Sequence, residues 1–116
     1  MRRVLVLEPY EGIRDVIEAV VRVLGHEPVA AAPGVPLEEL QPVHAAVIEP
    51  AAPAAPKLLQ ALLKEDPQFP IIYVSIVAGE LEMLAVEPVA YLLKPFAVSD
   101  LSRALERALE TADDDS

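Results

Sequence analysis

Five short apolar runs recur along this chain, and four of them consist of uninterrupted aliphatic, β-branched or aromatic residues: 4–7, 45–48, 71–74 and 89–93. A strand covered on both faces reads as such a continuous run, because neither side chain direction meets water. A stretch with helical spacing follows each run. Strands alternating with helices require a parallel sheet with helices on both faces. Right-handed crossovers then leave only a few doubly wound topologies. For five strands the economical order is 2-1-3-4-5. The sequence therefore predicts an α/β, flavodoxin-like domain with a doubly wound sheet of five parallel strands and five helices.

The first strand, Val4 to Leu7, is stopped by Pro9. Residues 11–24 place Ile13, Val16, Ile17, Val20, Val23 and Leu24 at helical spacing, and Gly25 suits a left-handed cap. Glu27 to Ala31 reads as a second strand, which Pro28 assigns to an edge. Pro33-Gly34 is a turn, and Pro36 suits the first position of a short helix containing Leu37 and Leu40. Residues 45–49 form the third strand. A loop punctuated by Pro50, Pro53 and Pro56 leads to a helix from Lys57 to Lys64, with Leu58, Leu59, Leu62 and Leu63 inward. Ile71 to Ser75 is the fourth strand, residues 80–86 a short helix, and Val89 to Leu93 the fifth strand. Ser99 can cap a last helix that carries Leu101, Ala104, Leu105, Ala108 and Leu109 on one stripe.

Length and composition narrow the function. At 116 residues the chain is expected to form one domain over 1–112, with an acidic tail at 113–116. Hydrophobic residues make up 53% and aromatic ones 4%, so the core must be aliphatic. Without cysteine there is no disulfide framework, thiolate metal site or cysteine nucleophile. His26 and His44 are widely separated and supply no zinc ligand set; both read as surface or loop residues, and Tyr10 as a packing residue. A net charge of -10 opposes binding to phosphate backbones, so no direct nucleic-acid partner is expected. No run is long enough for a signal h-region or a membrane span, and the expected location is the cytoplasm.

In a parallel α/β sheet the carboxyl ends of the strands converge on one edge, where ligands bind. Glu8, Glu49, Ser75 and Lys94 end four of the strands here, and the assumed order makes the first and third neighbours. These four can form a chemical site, or a lysine neutralising two acids. No phosphate loop is present, since Glu8-Pro9-Tyr10-Glu11-Gly12 lacks the glycine spacing. No Ser-His-Asp or metal cluster is apparent either.

Three motifs carry a resemblance. Ala52-Pro53 follows the third strand, Pro70 to Ser75 covers the fourth, and Tyr91-Leu92-Leu93-Lys94-Pro95-Phe96 covers the fifth. Over roughly residues 3–110 the chain resembles the receiver domain of bacterial two-component response regulators. The resemblance implies signal transduction rather than enzymatic turnover. It makes Glu49 the phosphoacceptor equivalent, and Glu8 and Pro9 the equivalents of an acidic pair that helps to hold Mg²⁺. Ser75 takes the position of the switch hydroxyl, Tyr91 the switch aromatic and Lys94 the phosphoryl-contacting lysine. The peptide before Pro95 is expected to be cis. Partners would be a protein or output domain, through the fourth helix, fifth strand and fifth helix, and a homodimer through that surface is possible.

The departures from the pattern point away from phosphorylation. Pro9 removes the second acid, and Mg²⁺ typically uses one or two carboxylates plus waters in tight octahedral geometry. No cofactor is therefore expected. Glu49 is a methylene longer than Asp, which moves its carboxylate by about 1.5 Å. Misplacing a nucleophile by about 1 Å can cost about a hundredfold in rate. The longer arm can instead pair directly with Lys94. The sequence thus suggests a degenerate receiver, a pseudo-receiver locked in one state by Glu49 as an imitation of the phosphorylated acid. The alternatives are a working receiver that uses Glu49 as acceptor, and a small flavodoxin-like ligand-binding domain.

Overall fold

The computed structural model describes residues 1–32, 34–76 and 88–114, the last two by backbone alone. The elements run β1 (Arg3–Leu7), α1 (Glu11–Val23), β2 (Glu27–Ala30), α2 (Leu37–Leu40), β3 (Ala45–Ile48), α3 (Ala55–Glu65), β4 (Ile71–Ser75), β5 (Ala90–Leu93) and α4 (Val98–Asp114). One parallel sheet has the order β2-β1-β3-β4-β5, the order the sequence predicts. Four helices lie among the described residues. The short helix expected over 80–86, and Pro33 of the Pro33-Gly34 turn, fall outside them. Among the described residues no helix is long and apolar enough to cross a membrane.

The two-residue period of a strand sorts the aliphatic runs onto two faces. Val4, Val6, Ala45, Val47, Ile72 and Val74 join α1 and α4 in one buried cluster. Leu5, Ala46, Ile48, Ile71 and Tyr73 join α2 and α3 in the other. The central strand β3 is fully buried along its length. β2 is the edge strand that Pro28 calls for, because a proline cannot donate to a ladder on both sides.

Gly25 ends α1 with φ +87°. Its N–H donates to the Arg22 carbonyl at 2.9 Å, and His26 N–H reaches the Val21 carbonyl at 3.1 Å. That pair of bonds is a Schellman motif, and the left-handed position favours glycine.

Several local expectations shift. On α1, Val16 and Val23 are exposed at 42% and 85%, while Val21 is buried. The covered stripe is Ile13, Ile17, Val20, Val21 and Leu24, rotated because α1 packs against α4 as well as β1 and β2. Pro36 is the cap of α2 and not its first residue: its ψ of 154° is extended, and its carbonyl accepts from Glu39 at 3.1 Å. α3 begins at Ala55, two residues before Lys57, with Pro56 in the first turn where its missing N–H is harmless. Leu59 and Leu62 are buried, while Leu58 and Leu63 are half-buried. Ser99 does not cap α4. The helix starts at Val98, and the Ala97 carbonyl accepts from Asp100 at 3.0 Å and Leu101 at 3.2 Å. The helix then continues to Asp114, past residue 112.

Both histidines hold the amino-terminal side of the sheet. His26 Nδ1 accepts from Arg2 N–H at 3.0 Å, and His44 Nδ1 accepts from Arg3 N–H at 3.1 Å. An accepting Nδ1 requires a neutral ring with its proton on Nε2. Burial lowers both pKa values, helped by nearby positive charge: the N-terminal amine and then Arg2 at His26, and Arg2 ahead of the N-terminal amine and Arg3 at His44. A lowered value means that the unfolded state binds protons more readily, so stability rises with pH across that window. The contribution is complete above about pH 6.5, the ordinary histidine value, and is lost as pH falls below it. Replacing both histidines with asparagine, whose Oδ1 can accept the same bonds, is expected to flatten urea-monitored stability between pH 7 and pH 5.5.

Tyr73 is fully buried, and its hydroxyl has no hydrogen-bond partner among the described residues. Burial pushes its pKa up. An unpaired buried hydroxyl is costly, so Tyr73→Phe is expected to stabilise the fold by about 1 kcal/mol in urea unfolding.

Candidate functional site

The sheet register brings the two acids together. Leu7 pairs with Ile48, so Glu8 and Glu49, one residue further on, leave adjacent strands side by side. Glu49 N–H also donates to the Leu7 carbonyl at 2.8 Å. On the other side Ser75 pairs with Leu93, and Lys94 N–H donates to the Ser75 carbonyl at 2.8 Å. Adjacent strands lie about 4.8 Å apart, so β5 stands about 10 Å from β3 and about 14 Å from β1. Only long side chains can close that gap, passing over the end of β4, where Ser75 is small and fully buried.

They do close it. Lys94 Nζ lies 2.5 Å from Glu8 Oε1 and 3.2 Å from Glu49 Oε2. The three side chains are 6%, 0% and 7% exposed, respectively for Lys94, Glu8 and Glu49. Among the described residues neither of those two oxygens has another hydrogen-bond partner. The ammonium is thus the shared counter-ion of two buried carboxylates. Burial raises the Glu49 pKa, while Lys94 opposes the rise. Burial alone would lower the Lys94 pKa, but contact with Glu8 and Glu49 holds it above the ordinary value. For Glu49 a folded-state value above the unfolded one means that its contribution to stability falls as pH rises past about 4.5.

Two neighbours complete the cluster, and neither stood out in the sequence as a site residue. Tyr10 N–H donates to Glu8 Oε2 at 3.1 Å, and its ring lies 5.6 Å from Lys94 Nζ. Arg14 Nη1 donates to the Glu8 backbone carbonyl at 3.2 Å. The return from Glu8 to the Tyr10 amide had no sequence signal, since bonding the backbone two residues on is a habit of the shorter Asp and Asn. Pro9 lies between them and contributes no carboxylate. Tyr91 is half-buried on β5, in register with Tyr73 and packed against the α2–α3 cluster. The Lys94–Pro95 peptide is cis.

The two carboxylates are engaged by protein groups in this arrangement. Each acid has one oxygen on the ammonium, and Glu8 commits the other to Tyr10. Among the described residues no three His, Cys, Asp or Glu side chains gather around a common point.

No protein-family model and no curated protein matches the sequence. Solved structures do match, receiver domains among them. A CheY-like receiver domain protein from Methanospirillum hungatei superposes with a TM-score of 0.82 at 22% identity, over 100% of this chain and 99% of that one. NtrX from Brucella abortus gives 0.82 at 21% identity, over 99% of this chain but 29% of its own. The receiver domain of a sensor histidine kinase from Pseudomonas aeruginosa, which holds a magnesium ion in its active-site cleft, gives 0.73 at 26% identity, over 94% and 98%. The chain has the fold of response regulator receiver domains.

Removing the shared cation leaves two facing buried charges. Lys94→Met is expected to cost about 3–5 kcal/mol at pH 7 by urea unfolding. Adding Glu49→Gln should recover much of that loss, because it removes one of the stranded charges. Strictly additive costs would show that the three groups do not act as one cluster.

Proposed function

We propose that this chain is a receiver-fold signalling module that acts through protein contacts and is not switched by phosphorylation. The observation that carries this reading is the engagement of Lys94 by both Glu8 and Glu49. In the receiver pattern the lysine is kept for phosphoryl oxygens and the acids for a metal ion. Here each is already spent on the other. Glu49 is the phosphoacceptor equivalent, and its carboxylate rests against the ammonium as phosphoryl oxygens would. Glu8, with Pro9 beside it, is what remains of the acidic pair. Ser75 and Tyr91 keep the positions of the switch hydroxyl and the switch aromatic. The ion cluster holds these positions in one state, and no catalytic turnover is assigned to the chain.

The outlet of such a module is a protein surface on β5 and α4. Leu93 and Val98 are exposed at 49% and 54% there, apolar side chains at the end of one element and the start of the other. A protein partner or output domain, or a second copy of the chain, would cover them. A homodimer of this kind should appear as a concentration-dependent mass in light scattering and be lost in Leu93→Glu.

Incubation with acetyl phosphate and Mg²⁺, read by intact mass, is expected to give no adduct under conditions that label an aspartate-bearing receiver. A stable phosphoryl adduct mapped to Glu49 would overturn the proposal in favour of a working phosphoacceptor.

A further inference from the structure

A cavity of about 410 Å³ lies away from the ion cluster, between the carboxyl ends of β1 and β2 and the helices α2 and α3. Its origin is local. α2 is a single turn, Leu37–Leu40, and covers little of the sheet face beside it. The described lining is mostly aliphatic: alanines, Ala31, Ala54 and Ala61 among them, with Leu7, Leu37 and Leu40 supplying the bulk. No aromatic ring is among the described lining residues, and their one charged side chain is Lys57. Lys57 is exposed and, among the described residues, has no ion-pair partner, in a chain with 19 acidic residues. Small-molecule sites combine this apolar volume with one or two placed polar groups, and they favour the carboxyl edge of parallel sheets.

We infer that this cavity binds a saturated medium-chain carboxylate, with its acyl chain against the alanine and leucine walls and its carboxylate on the Lys57 ammonium. Aliphatic walls without a ring select an acyl chain over a stacked aromatic. A single unpaired cation at the wall selects a monoanion over a neutral or dianionic ligand. Glu8, Glu49 and Lys94 do not line the cavity, so the inference stands independently of the proposed signalling role.

The test is titration of the ¹⁵N-labelled chain with decanoate, followed by amide chemical shifts, with decanol as the uncharged probe. Saturable shifts are expected around Ala31, Ala54 and Ala61, with decanoate the tighter of the two. Lys57→Met should weaken decanoate roughly tenfold, the usual worth of one charge-assisted contact, and abolish the preference over decanol. Ala61→Phe, at a half-exposed position that tolerates added bulk, should fill the space and abolish binding of both. Absence of saturable shifts, or a decanoate affinity indifferent to Lys57→Met, would overturn the inference. So would shifts centred instead on Tyr10 and Phe96. Co-sedimentation with phosphatidylglycerol vesicles is expected to be absent, and its appearance would assign the cavity to lipid chains of a membrane surface instead.

Discussion

One ammonium between two buried carboxylates is the constraint around which the carboxyl edge of this sheet is arranged. Lys94 reaches from β5 across the end of β4 to acids on β3 and β1. Two charges of one sign and one of the other leave the cluster net negative, and none of the three side chains is well exposed to water. Desolvation offsets much of the attraction in such a buried group, so its worth lies less in stability than in selecting one arrangement. Any rearrangement that draws Lys94 away must strand two acids.

The sheet explains why this cluster forms from these residue types. Leu7 opposite Ile48 places the two acids side by side, and Ser75 opposite Leu93 places the lysine one strand beyond a small residue. An aspartate at either position would end about 1.5 Å sooner. Glutamate at both positions, and lysine opposite, are the reach that the strand spacing demands. Tyr10 then fixes the inner acid by backbone donation and lays its ring near the ammonium. The extra methylene of Glu49, relative to aspartate, gives its carboxylate the reach to meet the ammonium.

Much of this was legible in the sequence, for physical reasons. Short continuous apolar runs bounded by prolines and helical stretches suit strands buried on both faces, and their alternation with helices points to a parallel sheet. The strand-end residues Glu8, Glu49, Ser75 and Lys94 follow from that topology. What was not legible depends on tertiary packing. The α1 stripe turns toward Val21 because α4 lies beside it, which periodicity within one helix cannot report. The starts of α3 at Ala55 and α4 at Val98 lack the side-chain caps that a sequence reader searches for. Tyr10 and Arg14 act on Glu8 through a backbone amide and a backbone carbonyl, contacts that residue type does not advertise. The cavity beside α2 arises from a helix too short to cover its neighbours, a shortage visible only once the sheet is in place.

The contact lengths refine the idea of an imitated phosphoryl group. If Glu49 alone stood in for the modified acid, its pairing with Lys94 would be the tighter one. The ammonium instead sits closer to Glu8, at 2.5 Å against 3.2 Å. Glu8 is also the acid fixed from behind by Tyr10 and Arg14. On the proposed reading, then, Glu8 anchors the lysine and Glu49 is held by it. Burial raises the pKa of Glu49, and the Lys94 ammonium opposes the rise. On that reading the cluster rests first on the Glu8–Lys94 pair, the shorter of the two contacts.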